Sequence, residues 1–348
     1  MRHKIRQRRR NGGGALISAL FITALAAMLA TALAVEQGVL IHEVTLIVRA
    51  DQGYLNLQGE QFLAKKIILK YATQFLAKNP PSNITPLQAQ LPRVKIDDME
   101  ISGTIENEQG KFNLNNLQYS QNQPKFAALL RAVDAGVSAS EAENIAQSIT
   151  AWITNGSQDP YYLSLHPPYR SSKTQLANVS ELRLIAGVTP AIYVALKPYV
   201  TALPESVAPI AVTNTQTTQT AKTAKTTATT TSGTASSQKT AQQLVLGTPI
   251  DINAVSILVL SALDSSLNPA QAQDIIACRE RYRSFSSTQA FTTDCAASLT
   301  NITVQSQYFL VRVTAVYEKH VLQLNSLMVT QPEKNNTLKV ITVWQSFE

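Results

Sequence analysis

The chain has 348 residues, 45% of them hydrophobic, and a formal charge of +7 at pH 7. The first ten positions hold six basic residues and no acidic one, whereas the other 338 residues hold 24 basic and 23 acidic side chains. A body so close to neutral lacks a broad positive field for phosphates, which argues against a general nucleic-acid binder.

The basic start runs into three glycines and then into 21 residues, 15–35, that carry no charge. As an α-helix this run measures about 31 Å, which matches the hydrocarbon core of a bilayer. The basic flank predicts a cytoplasmic N-terminus, with the rest of the chain across the membrane. We therefore assign residues 1–13 to a basic leader and 14–36 to the transmembrane part of a helix.

The position of the glycines bears on processing. A secretory signal peptide has its small-residue cleavage site after the apolar run, but here the small residues precede it. A cut at the Gly13–Gly14 bond or at the Gly14–Ala15 bond would remove the leader and keep the helix, as in a prepilin. The alternative is an uncleaved signal anchor.

Residues 37–79 predict a continuation of the same helix beyond the membrane, because no proline occurs before Pro80 and apolar residues recur at helical spacing. An amphipathic helix that protrudes in this way buries its apolar stripe against other helices. The residues at helical spacing are Leu40, Val44, Ile47, Leu55, Phe62, Ile67, Leu69 and Phe75.

One strand and a group of short helices are predicted next. In the region 95–117, Met99, Ile101 and Ile105 lie on one side of an alternating strand. The region 118–204 predicts a first helical subdomain, in which Ser138 and Glu141 have the spacing of a capping box. Its predicted helices cover 125–135, 138–152, 179–185 and 191–196.

The composition changes at residues 205–245, which are rich in Thr, Ala and Ser and predict a linker without a core. A second helical subdomain, 246–302, is predicted to hold helices at 255–263 and 269–283. Alternating runs at 308–317, 321–329 and 338–347 predict antiparallel strands within 303–348. The early strand needs partners, and these late strands are the available ones, so the fold class is α+β.

Few residues suggest catalysis. The four histidines, His3, His42, His166 and His320, lack metal-ligand spacing, and no nucleophile elbow or phosphate loop occurs, so we expect no enzyme. The acidic pairs Asp97/Asp98 and Glu106/Glu108 are interpreted as solvated strand ends. Cys278 and Cys295 form a disulfide or are two unpaired core residues, and the spacing leaves both readings open.

The chain resembles protein K of type II secretion systems, a minor pseudopilin, over nearly its whole length. The motif at 161–170, for example, reads Tyr-Tyr-Leu-Ser-Leu-His-Pro-Pro-Tyr-Arg. The other motifs lie at 103–117, 180–190 with 196–200, and 248–254. The resemblance implies a pilin-like fold with a large inserted helical domain containing two helix-hairpin-helix or SAM-like subdomains.

The resemblance also implies cleavage by prepilin peptidase, a place in the bacterial inner membrane and a pseudopilus tip shared with the I, J and H pseudopilins. Pilins have a glutamate at the fifth mature position, which neutralises the N-terminal amine of a neighbour. Here that residue is Ser18 or Ala19, depending on the bond cut. A subunit without this carboxylate is suited to capping a filament, because an unpaired charge in an apolar filament core is costly.

Two departures from the family pattern concern ligands. Relatives carry several acids before the segment at 161–170, where calcium can bind, whereas this chain offers only Asn155 and Asp159 as weak calcium candidates. The turn at Gly187, Val188 and Thr189 is similar to a helix-hairpin-helix, a module that contacts DNA backbone. A DNA-uptake pilin is therefore the alternative function, although only Arg183 and Lys197 are basic nearby and no nucleic acid is expected.

Overall fold

The computed structural model describes residues 12–75, 85–154, 159–205, 247–264, 267–333 and 337–347. The calcium candidate Asn155 and almost all of the predicted linker 205–245 lie outside these residues. The backbone of Asp159 lies within them, but its side chain does not.

One helix dominates the N-terminal part of the chain. Helix α1 covers Gly12–Gln74, 63 residues, and is about 95 Å long at 1.5 Å per residue. The amide of Phe75 donates to the carbonyl of Ala72, and the ring of Phe75 is buried against the sheet. The predicted boundary at residue 79 lies outside the described residues.

An antiparallel sheet packs on the second half of α1. Its strands are β1 Ala89–Gln90, β2 Val94–Ile96, β3 Met99–Asn107, β8 Tyr308–Tyr317, β9 His320–Glu333 and β10 Thr337–Phe347. They follow the order β1, β3, β8, β9, β10, and β2 also pairs with β3. The early strand β3 pairs with the late strand β8 from Glu100 opposite Val316 to Asn107 opposite Phe309, as predicted.

The sheet has two different faces. The inner face contacts α1 and is apolar, with Phe309, Val311 and Val313 fully buried against residues of the helix such as Ile68. The outer face carries Leu310, Arg312, Asn325 and Trp344 and is turned away from α1. Near the start of β8, Tyr308 and Leu327 on this outer face form a small core with Leu203, a residue of the polypeptide between β3 and β8.

About 200 residues separate β3 from β8 and form the insert, a helical body that contains two short parallel strand pairs. Strand β4 (Phe112–Asn113) pairs with β5 (Val200–Thr201), and β6 (Ile250–Asp251) pairs with β7 (Ile302–Thr303). The helices are α2 Gln123–Val133, α3 Ala139–Ile153, α4 Asp159–Leu163, α5 Pro190–Leu196, α6 Ile257–Leu263, α7 Pro269–Tyr282 and α8 Thr288–Cys295.

Buried residues from both ends of the insert, from Phe112 to Val304, form one continuous core. The division into two helix-hairpin-helix or SAM-like subdomains stays a prediction. The capping hydrogen bond predicted at the start of α3 forms, since the Ser138 hydroxyl accepts from the Glu141 backbone amide. Both bonds of a capping box, one in each direction, are present between Asn178 and Glu181.

A disulfide joins Cys278 in α7 to Cys295 at the end of α8, and their Cα atoms are 5.8 Å apart. It closes a loop of 17 residues. We predict that Cys278→Ser with Cys295→Ser lowers the free energy of unfolding by about 3 kcal/mol, because the open chain gains entropy when unfolded. Denaturant titration with and without reductant measures this difference. An identical midpoint for the wild type in both conditions would contradict the prediction.

Candidate functional site: the exposed stripe of the long helix and the junction with the insert

The part of α1 that lies beyond the uncharged run has two apolar faces. One face packs on the sheet through Leu57, Ala64 and Ile68, none of which has any solvent exposure. The opposite face carries Leu55 and Phe62, whose side chains are 64% and 61% exposed. The first face is covered by the sheet of the same chain, and the second face is available for contact with another molecule.

The exposed face continues toward the N-terminus without support from the sheet. We call it the exposed stripe, and it comprises Leu40, Val44, Ile47, Leu55 and Phe62. Contact between α1 and the sheet begins at Arg49 of the helix. Its guanidinium lies 3.6 Å from the Asp98 carboxylate and 5.0 Å from the ring centroid of Tyr317. A stripe of this length on a protein surface is characteristic of a protein or membrane contact.

A buried polar junction connects the sheet to the insert. The Asp251 carboxylate is fully buried and accepts hydrogen bonds from Ser306 Oγ at 2.6 Å and Asn107 Nδ2 at 3.1 Å. Asn107 ends β3 and Ser306 precedes β8, so these residues mark the two places where the chain crosses between sheet and insert. The Asp251 carboxylate is therefore hydrogen-bonded to both connections between the sheet and the insert.

Gln109 reinforces the same junction. Its backbone carbonyl accepts from the Asp251 amide at 2.9 Å, and its side-chain amide donates to the Pro249 carbonyl at 3.1 Å. Its side-chain oxygen accepts from the backbone amides of Gln307 and Tyr308. Because Gln109 is also buried, these bonds are shielded from water and fix the insert relative to the sheet.

Burial raises the pKa of Asp251 above its ordinary value, and this effect outweighs the hydrogen bonds from Ser306, Asn107 and the Asn253 amide and the positive charge of Arg279, all of which lower it. The Arg279 guanidinium does not form an ion pair with this carboxylate. It donates to the backbone carbonyls of Val255 and Ile252 at 2.6 and 3.2 Å.

The acidic pair Glu106/Glu108 departs from its interpretation as solvated strand ends. Glu108 is buried and its carboxylate lies 2.6 Å from Lys111 Nζ, while Glu106 pairs with Arg312 on β8. These carboxylates attach the end of β3 to its neighbours and are structural rather than free.

Three buried asparagines hold the two chain segments that flank the predicted linker. Asn113 accepts from the amide of Leu203 at 3.0 Å and donates to the hydroxyl of Thr248 at 3.1 Å. The side-chain oxygen of Asn116 accepts from the backbone amide of Thr248, and the side-chain amide of Asn116 donates to the backbone carbonyl of Thr248, both at 2.9 Å. Asn115 donates to the carbonyl of Leu203 at 2.9 Å. The segment before the linker and the segment after it therefore bind to the same group of asparagines.

This arrangement predicts that a cut within the linker leaves the protein assembled. Trypsin is expected to cleave first at Lys222 or Lys225, since the composition of that segment cannot form a core. The two fragments should co-elute from a sizing column, and Asn113→Ala should let them separate at lower denaturant than the wild type. Separation of the wild-type fragments in buffer would contradict the prediction.

The other residues that the sequence suggested fall into three groups. Gly14 and Ala15 lie within α1, as does the backbone of Gly13. In the turn, Gly187 has φ of +85° and lies over Ile145, the Val188 amide donates to the Ile185 carbonyl, and Thr189 caps α5. The turn thus packs two helices. Within the described ranges, no group of three or more His, Cys, Asp or Glu is placed to hold a metal ion.

Helix α1 is the one helix among the described residues that is long and apolar enough to cross a membrane, and its apolar window is fully exposed. A long N-terminal apolar helix that packs on an antiparallel sheet fits one class of protein, a subunit with a single-pass membrane anchor and a pilin-like body. Two family models described as type II secretion system protein K match residues 110–205 and 250–312. Over these two regions the chain is similar to the type II secretion system protein K family.

Two relatives carry the same family description, and a solved structure has a similar fold. The putative type II secretion system protein K of Escherichia coli K12 is 30% identical over 55% of this chain, and that of Aeromonas hydrophila is 26% identical over 56%. The matches span 62% and 65% of those proteins, less than two thirds of their length. The GspK-GspI-GspJ complex of enterotoxigenic Escherichia coli contains a similar fold, with a TM-score of 0.58, 19% identity and coverage of 86% of this chain and 99% of that one.

Proposed function

We propose that the chain is a minor pseudopilin that caps the tip of a type II secretion pseudopilus and nucleates its assembly with the I, J and H pseudopilins. The exposed stripe carries this proposal. Outside the membrane, a run of exposed Leu, Val, Ile and Phe on one helix is stable in water only when partner helices cover it. The structural neighbour was solved in complex with GspI and GspJ, which makes these subunits the first partners to test.

The capping role has two physical supports. Neither candidate for the fifth mature residue, Ser18 or Ala19, supplies a carboxylate to neutralise the amine of another subunit. The insert also adds about 200 residues to one side of the sheet, and a body of that size obstructs lateral packing within a filament but not at its end. Both features fit a subunit that accepts neighbours on one side only.

The topology follows from charge and hydropathy. The basic leader keeps the N-terminus in the cytoplasm, α1 crosses the inner membrane once, and the sheet and insert lie in the periplasm. Prepilin peptidase then removes the leader at Gly13–Gly14 or Gly14–Ala15. N-terminal sequencing of the chain from cells with active peptidase decides between the two bonds, and recovery of a chain that begins only at Met1 would overturn the processing step.

The test of the assembly step is co-purification. The full chain is co-expressed with the I and J pseudopilins, extracted in detergent, and captured through a tag on the chain. A stable complex of all three is expected. If the chain leaves both pseudopilins unbound and instead retains duplex DNA in a salt-sensitive manner, the DNA-uptake alternative replaces this proposal.

A further inference from the structure

A polar cleft of about 360 Å³ lies between the outer face of the sheet and the insert. Its floor contains Arg312, Asn325 and Trp344, and its opposite wall contains Tyr193 from α5 and Lys197, which directly follows that helix. The volume is at the small end of the range for ligand sites and suits one side chain with its adjoining backbone. The cleft faces away from α1, so it stays open when other helices cover the exposed stripe.

Some of the positive side chains around this cleft have acidic partners, and one does not. On the sheet side, Lys111 pairs with Glu108 at 2.6 Å and Arg312 pairs with Glu106. On the insert side, Lys197 takes part in no ion pair among the described residues. Arg183 is not one of the residues that line the cleft, and its guanidinium lies 5.9 Å from the ring centroid of Tyr193.

Glu181 follows the lining residue Ser180 and is already engaged. Its carboxylate accepts from the backbone amides of Ala177 and Asn178 at 2.8 and 3.2 Å, so it caps a helix start and does not neutralise Lys197. The insert wall therefore presents one positive charge, that of Lys197, opposite the hydrogen-bond donors of Arg312 and Asn325. An anion placed beside Lys197 gains charge-assisted bonds that the chain itself does not supply.

We infer that this cleft binds an acidic side chain, Asp or Glu, on an extended segment of a partner protein. Lys197 provides the ammonium that meets the carboxylate, and the rings of Tyr193 and Trp344 contact the adjoining backbone. A duplex is a poorer occupant, because the one unpaired cation of the lining, Lys197, neutralises too few phosphates for binding at physiological salt. This inference is independent of the assembly with I and J, which uses the opposite side of the molecule.

The test uses Trp344 as the reporter, since the chain has only one other tryptophan, Trp152, and that residue is buried in the insert. The full chain in detergent micelles is titrated with the peptide Gly-Asp-Glu-Asp-Glu-Gly, and its amide counterpart Gly-Asn-Gln-Asn-Gln-Gly is the neutral control. The acidic peptide is expected to change the tryptophan emission, and the change should be absent in Trp344→Phe. The emission change, rather than total binding, is the readout, because the basic leader also attracts acids.

Two charge reversals decide the outcome. Lys197→Glu is expected to weaken the emission-detected affinity at least tenfold, as for the loss of a hydrogen bond to a charged group. Lys319→Glu makes the same charge change at an exposed turn beyond the end of β8, which lies about 17 Å along the strand from Arg312, and it should alter the affinity less than twofold. Equal weakening by both variants, equal binding of the amide peptide, or a stronger response to duplex DNA of the same charge would each overturn the inference.

Discussion

Phe62→Asp is expected to prevent the chain from co-purifying with the I and J pseudopilins while leaving its own sheet folded. The Phe62 side chain is 61% exposed and lies opposite the face of α1 that contacts the sheet, so a carboxylate there meets water in the free chain. In the complex the same carboxylate would be buried among apolar helices, with Lys66, whose ammonium lies 5.1 Å from the centroid of the Phe62 ring, as the neighbouring cation. Such a charge costs about 3 kcal/mol, roughly a hundredfold in affinity.

Matched variants separate this effect from unfolding. Leu55→Asp, two turns earlier on the exposed stripe, should behave like Phe62→Asp. Gln147→Asp adds the same charge at an exposed position in the middle of α3 and should co-purify normally. Leu57→Asp places the charge against the sheet and should unfold it. The prediction fails if Phe62→Asp and Gln147→Asp retain the partners equally.

Asp251→Ala is expected to uncouple the insert from the sheet. The substitution leaves the Asn107 side-chain amide and the Asn253 backbone amide without their acceptor in a site closed to water, whereas the Ser306 hydroxyl can still donate to Asn107 Oδ1 at 2.7 Å. Because each stranded donor costs about 1 kcal/mol or more, the free energy of unfolding should fall by about 2 kcal/mol. The control Asp134→Ala changes the same residue type at the end of α2, outside the junction, and should cost less.

The two tryptophans report the two bodies separately. Trp152 lies in the insert and Trp344 in the sheet, so Trp344→Phe and Trp152→Phe each leave one reporter. In a background with intact Asp251, both reporters should show the same denaturation midpoint, and in Asp251→Ala the midpoints should separate. Coincident midpoints in the Ala variant would show that the junction is not what couples the bodies.

The pH dependence of stability gives a second measure of the same carboxyl. Its pKa in the folded chain is raised above the ordinary value of 3.8, so the folded protein holds this proton more tightly than the unfolded chain does. The stabilisation that this proton provides is complete below pH 3.8, the ordinary pKa, and it is lost as the pH rises from 3.8 to the raised pKa of the folded chain. Asp251→Asn has no proton to lose, so its free energy of unfolding should fall less steeply than that of the wild type over this interval.

The sheet could be predicted from sequence because its pattern is local. Residues 308–317 alternate between apolar and mixed positions, and the predicted limits of this run are those of β8. The stripe on α1 was predicted only in outline. Leu55 and Leu57 are equally apolar, and the sequence does not tell which one contacts the sheet, because that depends on how the helix is rotated over strands 250 residues later.

The junction could not be predicted for a different reason. Asn107, Asp251 and Ser306 lie 144 and 55 residues apart along the chain, and each alone is an ordinary polar residue. The one available signal was a carboxylate between two isoleucines, Ile250 and Ile252, since an acid in an apolar strand requires buried partners. Nothing local indicated what those partners are.

The adjacency of Asn107 and Phe309 has a consequence for the origin and engineering of such subunits. These residues are opposite each other in an antiparallel pair, so the end of β3 already lies beside the start of β8. A two-residue turn such as Asn-Gly could join the strands directly and omit the insert altogether. The chain can thus be regarded as an ordinary hairpin whose turn has grown into a domain, and a minimal rod-and-sheet subunit is contained within it as a separable module.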